Sequence, residues 1–166
     1  MTRLTIATPE QMEELGAAVA GLLEPGDVVA LNGELGAGKT TFTRGLGEAL
    51  AIRGTVTSPT FVLARTHPRP AGGAPLVHVD AYRLGHPAEL DDLDIDFEGS
   101  IVVVEWAAGM LDSVTDAWLQ VDIRRPLGAQ VTDDGIEPRH VELAGHGERW
   151  AHLDWEAIDL PGNRLD

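Results

Sequence analysis

A three-layer α/β fold with a mixed central sheet is the class this sequence predicts, on three observations. First, the apolar run Val28-Val29-Ala30-Leu31 leads into a glycine-rich turn, Gly33–Gly38. A helical pattern over Thr40–Ile52 follows, with Phe42, Leu46 and Leu50 on one face. Second, Ile101–Val104 is four β-branched residues in a row, the mark of a strand buried on both faces. Third, further candidate strands are joined by Pro- and Gly-rich loops, which favours hairpins and a mixed sheet over a wholly parallel one.

The elements follow in order. Arg3–Ala7 alternates apolar and polar residues and predicts a first, edge strand. Thr8-Pro9-Glu10-Gln11 is a capping box with proline at the first helical position. Met12, Leu15, Val19, Leu22 and Leu23 continue it as an amphipathic helix until Glu24-Pro25-Gly26 ends it. Phe61–Thr66 and Leu76–Asp80 predict a hairpin around the loop 67–75, and Pro87–Leu93 a short helix. Leu119–Ile123 and Arg139–Leu143 read as later strands, separated by the polar segment Gly128–Pro138. Trp150, Leu153 and Ala157 suggest a C-terminal helix, with Leu160–Asp166 fraying.

The glycine-rich turn carries the strongest chemistry. Gly33–Thr40 reads GELGAGKT, a full match to the G-x-x-x-x-G-K-[ST] phosphate loop. Lys39 is the chain's only lysine, and all its other basic residues are arginine. A compact ammonium on a flexible stem can lie along a phosphate-wrapping backbone where a planar guanidinium would crowd it. Gly33, Gly36 and Gly38 are expected to let the backbone take positive φ and approach a ligand. Lys39 is expected to reach β- and γ-phosphates, and the Thr40 hydroxyl to ligate Mg²⁺.

Composition bounds the rest. At 166 residues, the span 1–166 is expected to form a single domain. A net charge of −15 argues against sequence-independent binding to DNA or RNA, and leaves open a basic protein partner or RNA reached through one. With no cysteine there are no disulfides, thiolate metal sites or catalytic thiols. Residues 1–20 lack a signal peptide's layout, and no stretch approaches the ~20 apolar residues of a membrane span, so a soluble cytoplasmic protein is expected.

Other residues admit two readings each. Glu105, at the end of an apolar strand, is either an acid that organises Mg²⁺ or the attacking water, or a solvated strand end. Asp80 shares a predicted face with His78 and Tyr82; it could serve metal or water, or pair with Arg83. Trp106 either packs over the site or belongs to the core. Thr57-Ser58-Pro59-Thr60 stands where switch segments sit in nucleotide hydrolases, and also reads as a turn. The acidic run Asp91, Asp92, Asp94, Asp96 and Glu98 is no EF-hand, since Phe97 and Val103 occupy the positions that need Gly and Glu. It reads as a solvated or partner-facing surface. His140, His146 and His152 lack the spacing of a zinc motif. The chain has no N-K-x-D guanine-reading motif and no transporter signature. Arg124-Arg125 is its only cluster resembling a kinase lid.

Taken together, GELGAGKTTFTRGL (33–46), TSPTFVL (57–63), HVDAYRL (78–84), AELDDLDID (88–96) and VVVEW (102–106) resemble, in order and spacing, the bacterial TsaE (YjeE) ATPases of tRNA threonylcarbamoyladenosine synthesis. The family's usual glycine after the acidic helix is replaced by Asp94. The resemblance implies a P-loop NTPase-like fold and ATP with Mg²⁺ as ligands. Gly36, Ala37, Gly38, Lys39, Thr40 and Thr41 would hold the phosphates, with Gly33, Glu34 and Leu35 completing the loop. Thr40 and Glu105 would bind Mg²⁺, Asp80 would serve hydrolysis alongside Lys39 and Glu105, and Thr60 would belong to a switch. The helix entry around Thr8–Glu10, Thr8 and Pro9 in particular, would lie near the adenine, and a late arginine, assigned to Arg139, near the nucleotide. The resemblance further implies weak hydrolysis alone and action with the threonylcarbamoyl transferase TsaD and its partner TsaB, with tRNA reached only through that complex. A small-molecule kinase and a non-catalytic nucleotide-sensing module are the alternatives.

Overall fold

The computed structural model describes residues 1–34, 36–56, 63–82, 84–126 and 137–165. Among the described residues, eight strands form one sheet in the order β3-β4-β5-β2-β6-β7-β1-β8. They are β1 (Thr2–Ile6), β2 (Val28–Gly33), β3 (Ala64–His67), β4 (Leu76–Asp80), β5 (Ile101–Glu105), β6 (Trp118–Arg124), β7 (Arg139–His146) and β8 (Asn163–Arg164). The centre, β4-β5-β2-β6, is parallel, and antiparallel neighbours flank it on both sides. The predicted mixed sheet and the β3–β4 hairpin are both present, with β3 reaching His67; Phe61 and Val62 of the predicted strand lie outside the described residues. Three helices pack on it: α1 (Pro9–Ala20), α2 (Lys39–Ala49) and α3 (Pro87–Asp91). None of the described helices is long and apolar enough to cross a membrane.

The layers follow from side-chain alternation. Val29, Leu31, Ile101 and Val103 face α1 and α2, where Leu15, Val19, Phe42 and Leu46 complete one core. Val28, Ala30, Val102 and Val104 face the other side, under Leu90 of α3 and Ala107 and Leu111 of the following segment. In β2 and β5 the runs Val28–Leu31 and Ile101–Val104 are therefore apolar without interruption, because both faces are covered. In β6 and β7, by contrast, buried residues alternate with half-exposed Gln120, Asp122, His140 and Glu142.

Where α1 meets α2 the backbones touch. A Cβ on Gly16 would overlap the Phe42 carbonyl, and one on Gly45 would overlap the Glu13 carbonyl. Side-chain-free contact at these two points fixes where α1 begins relative to the start of α2. Thr8 caps α1, its Oγ1 accepting from the Gln11 N–H at 3.2 Å. Gln11 reaches back in turn, its Oε1 accepting from the Ala7 N–H at 2.8 Å, one residue before the cap.

Three expectations are corrected. β1 is not an edge strand, because it lies between β7 and β8. No helix forms over Trp150–Ala157; two 3-10 turns, Glu148–Trp150 and Trp155–Ala157, stand there instead. The end of the chain is tied down rather than frayed at Asn163 and Arg164. These pair with β1, and Arg164 donates to the carbonyls of Trp155 (2.8 Å) and Ile158 (2.9 Å). α1, α2 and α3 also stop three, three and two residues earlier than the sequence patterns suggest.

Candidate functional site

The phosphate loop leaves β2 and opens α2. Gly36 and Gly38 have φ of +77° and +118°, conformations that L side chains rarely adopt. Gly33 is needed for another reason: its φ is ordinary, but a Cβ there would come within 2.9 Å of the Ile123 carbonyl. Gly38 is also the N-cap of α2 and makes no side-chain hydrogen bond to the first turn. The first-turn N–H groups thus remain open to an anion, at the positive end of the helix dipole. Leu35 lies outside the described residues.

Lys39 is only 8% exposed. Its Nζ donates to the carbonyls of Gly33 at 2.6 Å and Glu34 at 3.0 Å. Burial pushes its pKa down, while the nearby negative charges of Glu105 and Asp80 oppose that shift. The Nζ also lies 4.4 Å from the centre of the Trp106 ring. Trp106 is therefore no core residue. It is 36% exposed, takes φ +60°, and has the more exposed Tyr82 tilted against it at 5.2 Å. A non-glycine residue in the left-handed region is strained, and its surroundings hold it there. The Trp106 N–H donates to the Leu31 carbonyl, and the Ala107 N–H to Asn32 Oδ1.

The two candidate carboxylates are neighbours. Asp80 and Glu105 are register partners at the C-terminal ends of the parallel strands β4 and β5, and Glu105 pairs in turn with Leu31 on β2. Glu105 is 4% exposed, which removes the reading of a solvated strand end. Its Oε2 lies 3.1 Å from Nε2 of the fully buried His78, a contact sequence reasoning missed. Asp80 is half-buried, its Oδ1 accepting from the Tyr82 N–H at 2.9 Å. Tyr82 lies past the end of β4 and does not continue the His78–Asp80 face into the core. Arg83, the alternative partner of Asp80, and the segment Thr57–Thr60, Thr60 included, lie outside the described residues.

On the other side of the loop a cleft of about 130 Å³ is lined by Thr8, Pro9, Met12, Gly36, Ala37, Gly38, Thr41, Glu137 and Arg139. Arg139, the first residue of β7, grips the loop from outside. It donates to the carbonyls of Ala37 at 2.9 Å and Gly36 at 3.3 Å. Glu137 stands between two arginines, 2.9 Å from Arg125 and 3.2 Å from Arg139. The Arg125 bond holds the Glu137 carboxyl below its usual range. The structure thus brings Thr8, Pro9, Gly36, Ala37, Gly38, Thr41 and Arg139 to one cleft. Lys39, Asp80 and Glu105 gather on the other flank of the loop.

A mixed sheet with a glycine-rich phosphate loop between a central parallel strand and a helix defines the P-loop NTPase-like α/β class. Residues 6–130 match the family described as threonylcarbamoyl adenosine biosynthesis protein TsaE. Three similar proteins carry the name tRNA threonylcarbamoyladenosine biosynthesis protein TsaE. That of Streptomyces coelicolor is 55% identical over 146 residues, covering 86% of this chain and 96% of its own. That of Mycobacterium tuberculosis is 45% identical over 73% of this chain and 77% of its own, and that of Bacillus subtilis 36% identical over 87% and 86%. The crystal structure of Bacillus subtilis YdiB superposes with a TM-score of 0.68, at 33% identity and 90% coverage of each chain. This chain belongs to the TsaE family.

Proposed function

We propose that this protein is a Mg²⁺-dependent ATPase of the cytoplasm, accessory to the threonylcarbamoyladenosine modification of tRNA. It hydrolyses ATP slowly alone and acts with a TsaD-like threonylcarbamoyl transferase and its TsaB-like partner. The observation that carries this reading is the convergence of a buried carboxylate, Glu105, and a buried ammonium, Lys39, at the phosphate loop of a TsaE-family chain.

The residues suit ATP and Mg²⁺. The uncapped first turn of α2 and the loop N–H groups bind phosphate oxygens, and Lys39 exchanges its carbonyl partners for the β- and γ-phosphates. The Thr40 hydroxyl and the Glu105 carboxylate are the groups that would hold Mg²⁺. Bound Mg²⁺ supplies neutralisation of the charge on the β- and γ-phosphate oxygens. Asp80, beside Glu105, orients the attacking water. The cleft beside Thr8 and Pro9 would take the adenine, with Arg139 holding the adjoining loop through the Ala37 carbonyl.

Slow turnover in isolation follows from a site built mainly to bind and position, with a further charge-stabilising group supplied by the partner. The chain's charge of −15 keeps tRNA contact indirect. The test is ATP turnover measured alone, and again with the transferase complex and tRNA. The expected result is a marked rise on adding the complex; unchanged turnover with cognate partners contradicts the proposal.

A further inference from the structure

On the face of β4 toward α2, Leu76, His78 and Asp80 stand beside Ile101, Val103 and Glu105 of β5. Leu76, Ile101 and Val103 belong to the apolar core. A leucine would suit the His78 position on packing grounds alone. Instead a fully buried imidazole stands there, reaching forward from its register partner Val103 to the Glu105 carboxylate, 3.1 Å away.

Facing an ionised Glu105, a neutral imidazole makes this hydrogen bond only in the tautomer with its hydrogen on Nε2. Nδ1 is then an acceptor, and it has no partner among the described residues. A buried imidazole is held among apolar neighbours through its hydrogen bonds, and among the described residues its one polar partner is Glu105. Fixing one oxygen of a carboxylate from behind is how outer partners orient metal-binding acids.

We infer that His78 is a positioning residue: its Nε2–H fixes Oε2 of Glu105, so that Oε1 is presented to the Mg²⁺ that accompanies ATP. The inference rests on the ATP–Mg²⁺ reading above. It predicts that His78 governs the metal's contribution to nucleotide binding and leaves metal-free binding alone.

The test is equilibrium binding of a non-hydrolysable ATP analogue by calorimetry, with and without Mg²⁺. For His78→Leu the increase in affinity that Mg²⁺ confers should fall by about 10- to 100-fold, with Mg²⁺-free affinity within about twofold of the unaltered protein. His78→Gln, whose amide N–H extends as far as Nε2, should restore most of the increase, and the shorter His78→Asn should not. If His78→Leu fails to fold, the Gln and Asn variants carry the same contrast. An undiminished Mg²⁺ effect in His78→Leu, equal losses with and without Mg²⁺, or Gln and Asn behaving alike would overturn the inference while leaving the ATP reading intact. No Mg²⁺-dependent binding in the unaltered protein would overturn that reading, and the inference with it.

Discussion

The two flanks of the phosphate loop are built differently. On the β4–β5 flank, His78 and Glu105 are buried to 0% and 4% exposure, with Lys39 beside them at 8%. On the α1–β7 flank the polar groups are more open, with the Arg125 side chain 40% and that of Glu137 27% exposed. A buried charge cannot move without losing partners, so the first flank is suited to chemistry that needs fixed geometry. On the proposed reading, the second takes the base. The loop belongs to both, and α1 is coupled to it by backbone contact with α2.

Lys39 sits on the buried flank, and its loss has the largest expected effect. Lys39→Ala should cut ATP turnover on the order of 1,000-fold, read as phosphate release. Turnover within about tenfold of the unaltered protein, less than one lost charge-stabilising donor costs, would separate Lys39 from the chemistry.

The coupling between flanks is next. Gly16→Val forces side-chain atoms against the Phe42 carbonyl and the Leu46 N–H, so α1 must lift from α2. We expect a loss of about 3 kcal/mol in denaturant unfolding, at the upper end of overpacking costs. Unchanged stability would mean the helices are not held in this arrangement.

Thr8→Ala acts on the open flank alone. Losing the cap bond to Gln11 should cost about 1 kcal/mol, measurable by thermal unfolding, without altering the Mg²⁺ dependence of nucleotide binding.

The smallest effect is on pH dependence. The Arg125 bond lowers the Glu137 pKa from 4.5, so the carboxylate's contribution is fully present above about pH 4.5 and fades as pH falls through the folded value. Stability curves of the unaltered protein and Arg125→Ala should therefore separate slightly above about pH 4.5 and converge in stronger acid. Screening at this exposed site keeps the gap small. A gap that widened in acid would refute the bond's role.

How much of this was legible in the sequence differs between the flanks for the same physical reason. The loop is contiguous and its chemistry demands fixed residue types, so Gly33–Thr40 could be read directly. Strands β2 and β5 could be read too, since double burial leaves an unbroken apolar run in each. His78 could not be matched to Glu105 without knowing that β4 lies beside β5, and nothing local in a lone histidine reports that pairing. Arg139 grips a carbonyl 102 residues away. Only the family resemblance pointed toward it. The resemblance also located a missing glycine: Asp94 takes φ +54°, a conformation that glycine adopts without strain. At the C-terminus, helical spacing of Trp150, Leu153 and Ala157 misled. Trp150 is buried against Gly145 of β7, and tertiary packing with short 3-10 turns overrode local periodicity.

The division between the flanks can be tested in one measurement, the affinity for a non-hydrolysable ATP analogue with and without Mg²⁺ in Glu105→Gln and Arg139→Ala. Glu105→Gln should keep its Mg²⁺-free affinity and lose most of the increase that Mg²⁺ confers. Arg139→Ala should lose affinity by about tenfold, some 1.4 kcal/mol, equally in both conditions and keep that increase. The same pattern in both variants would contradict a site divided into a metal-positioning flank and a base-holding flank.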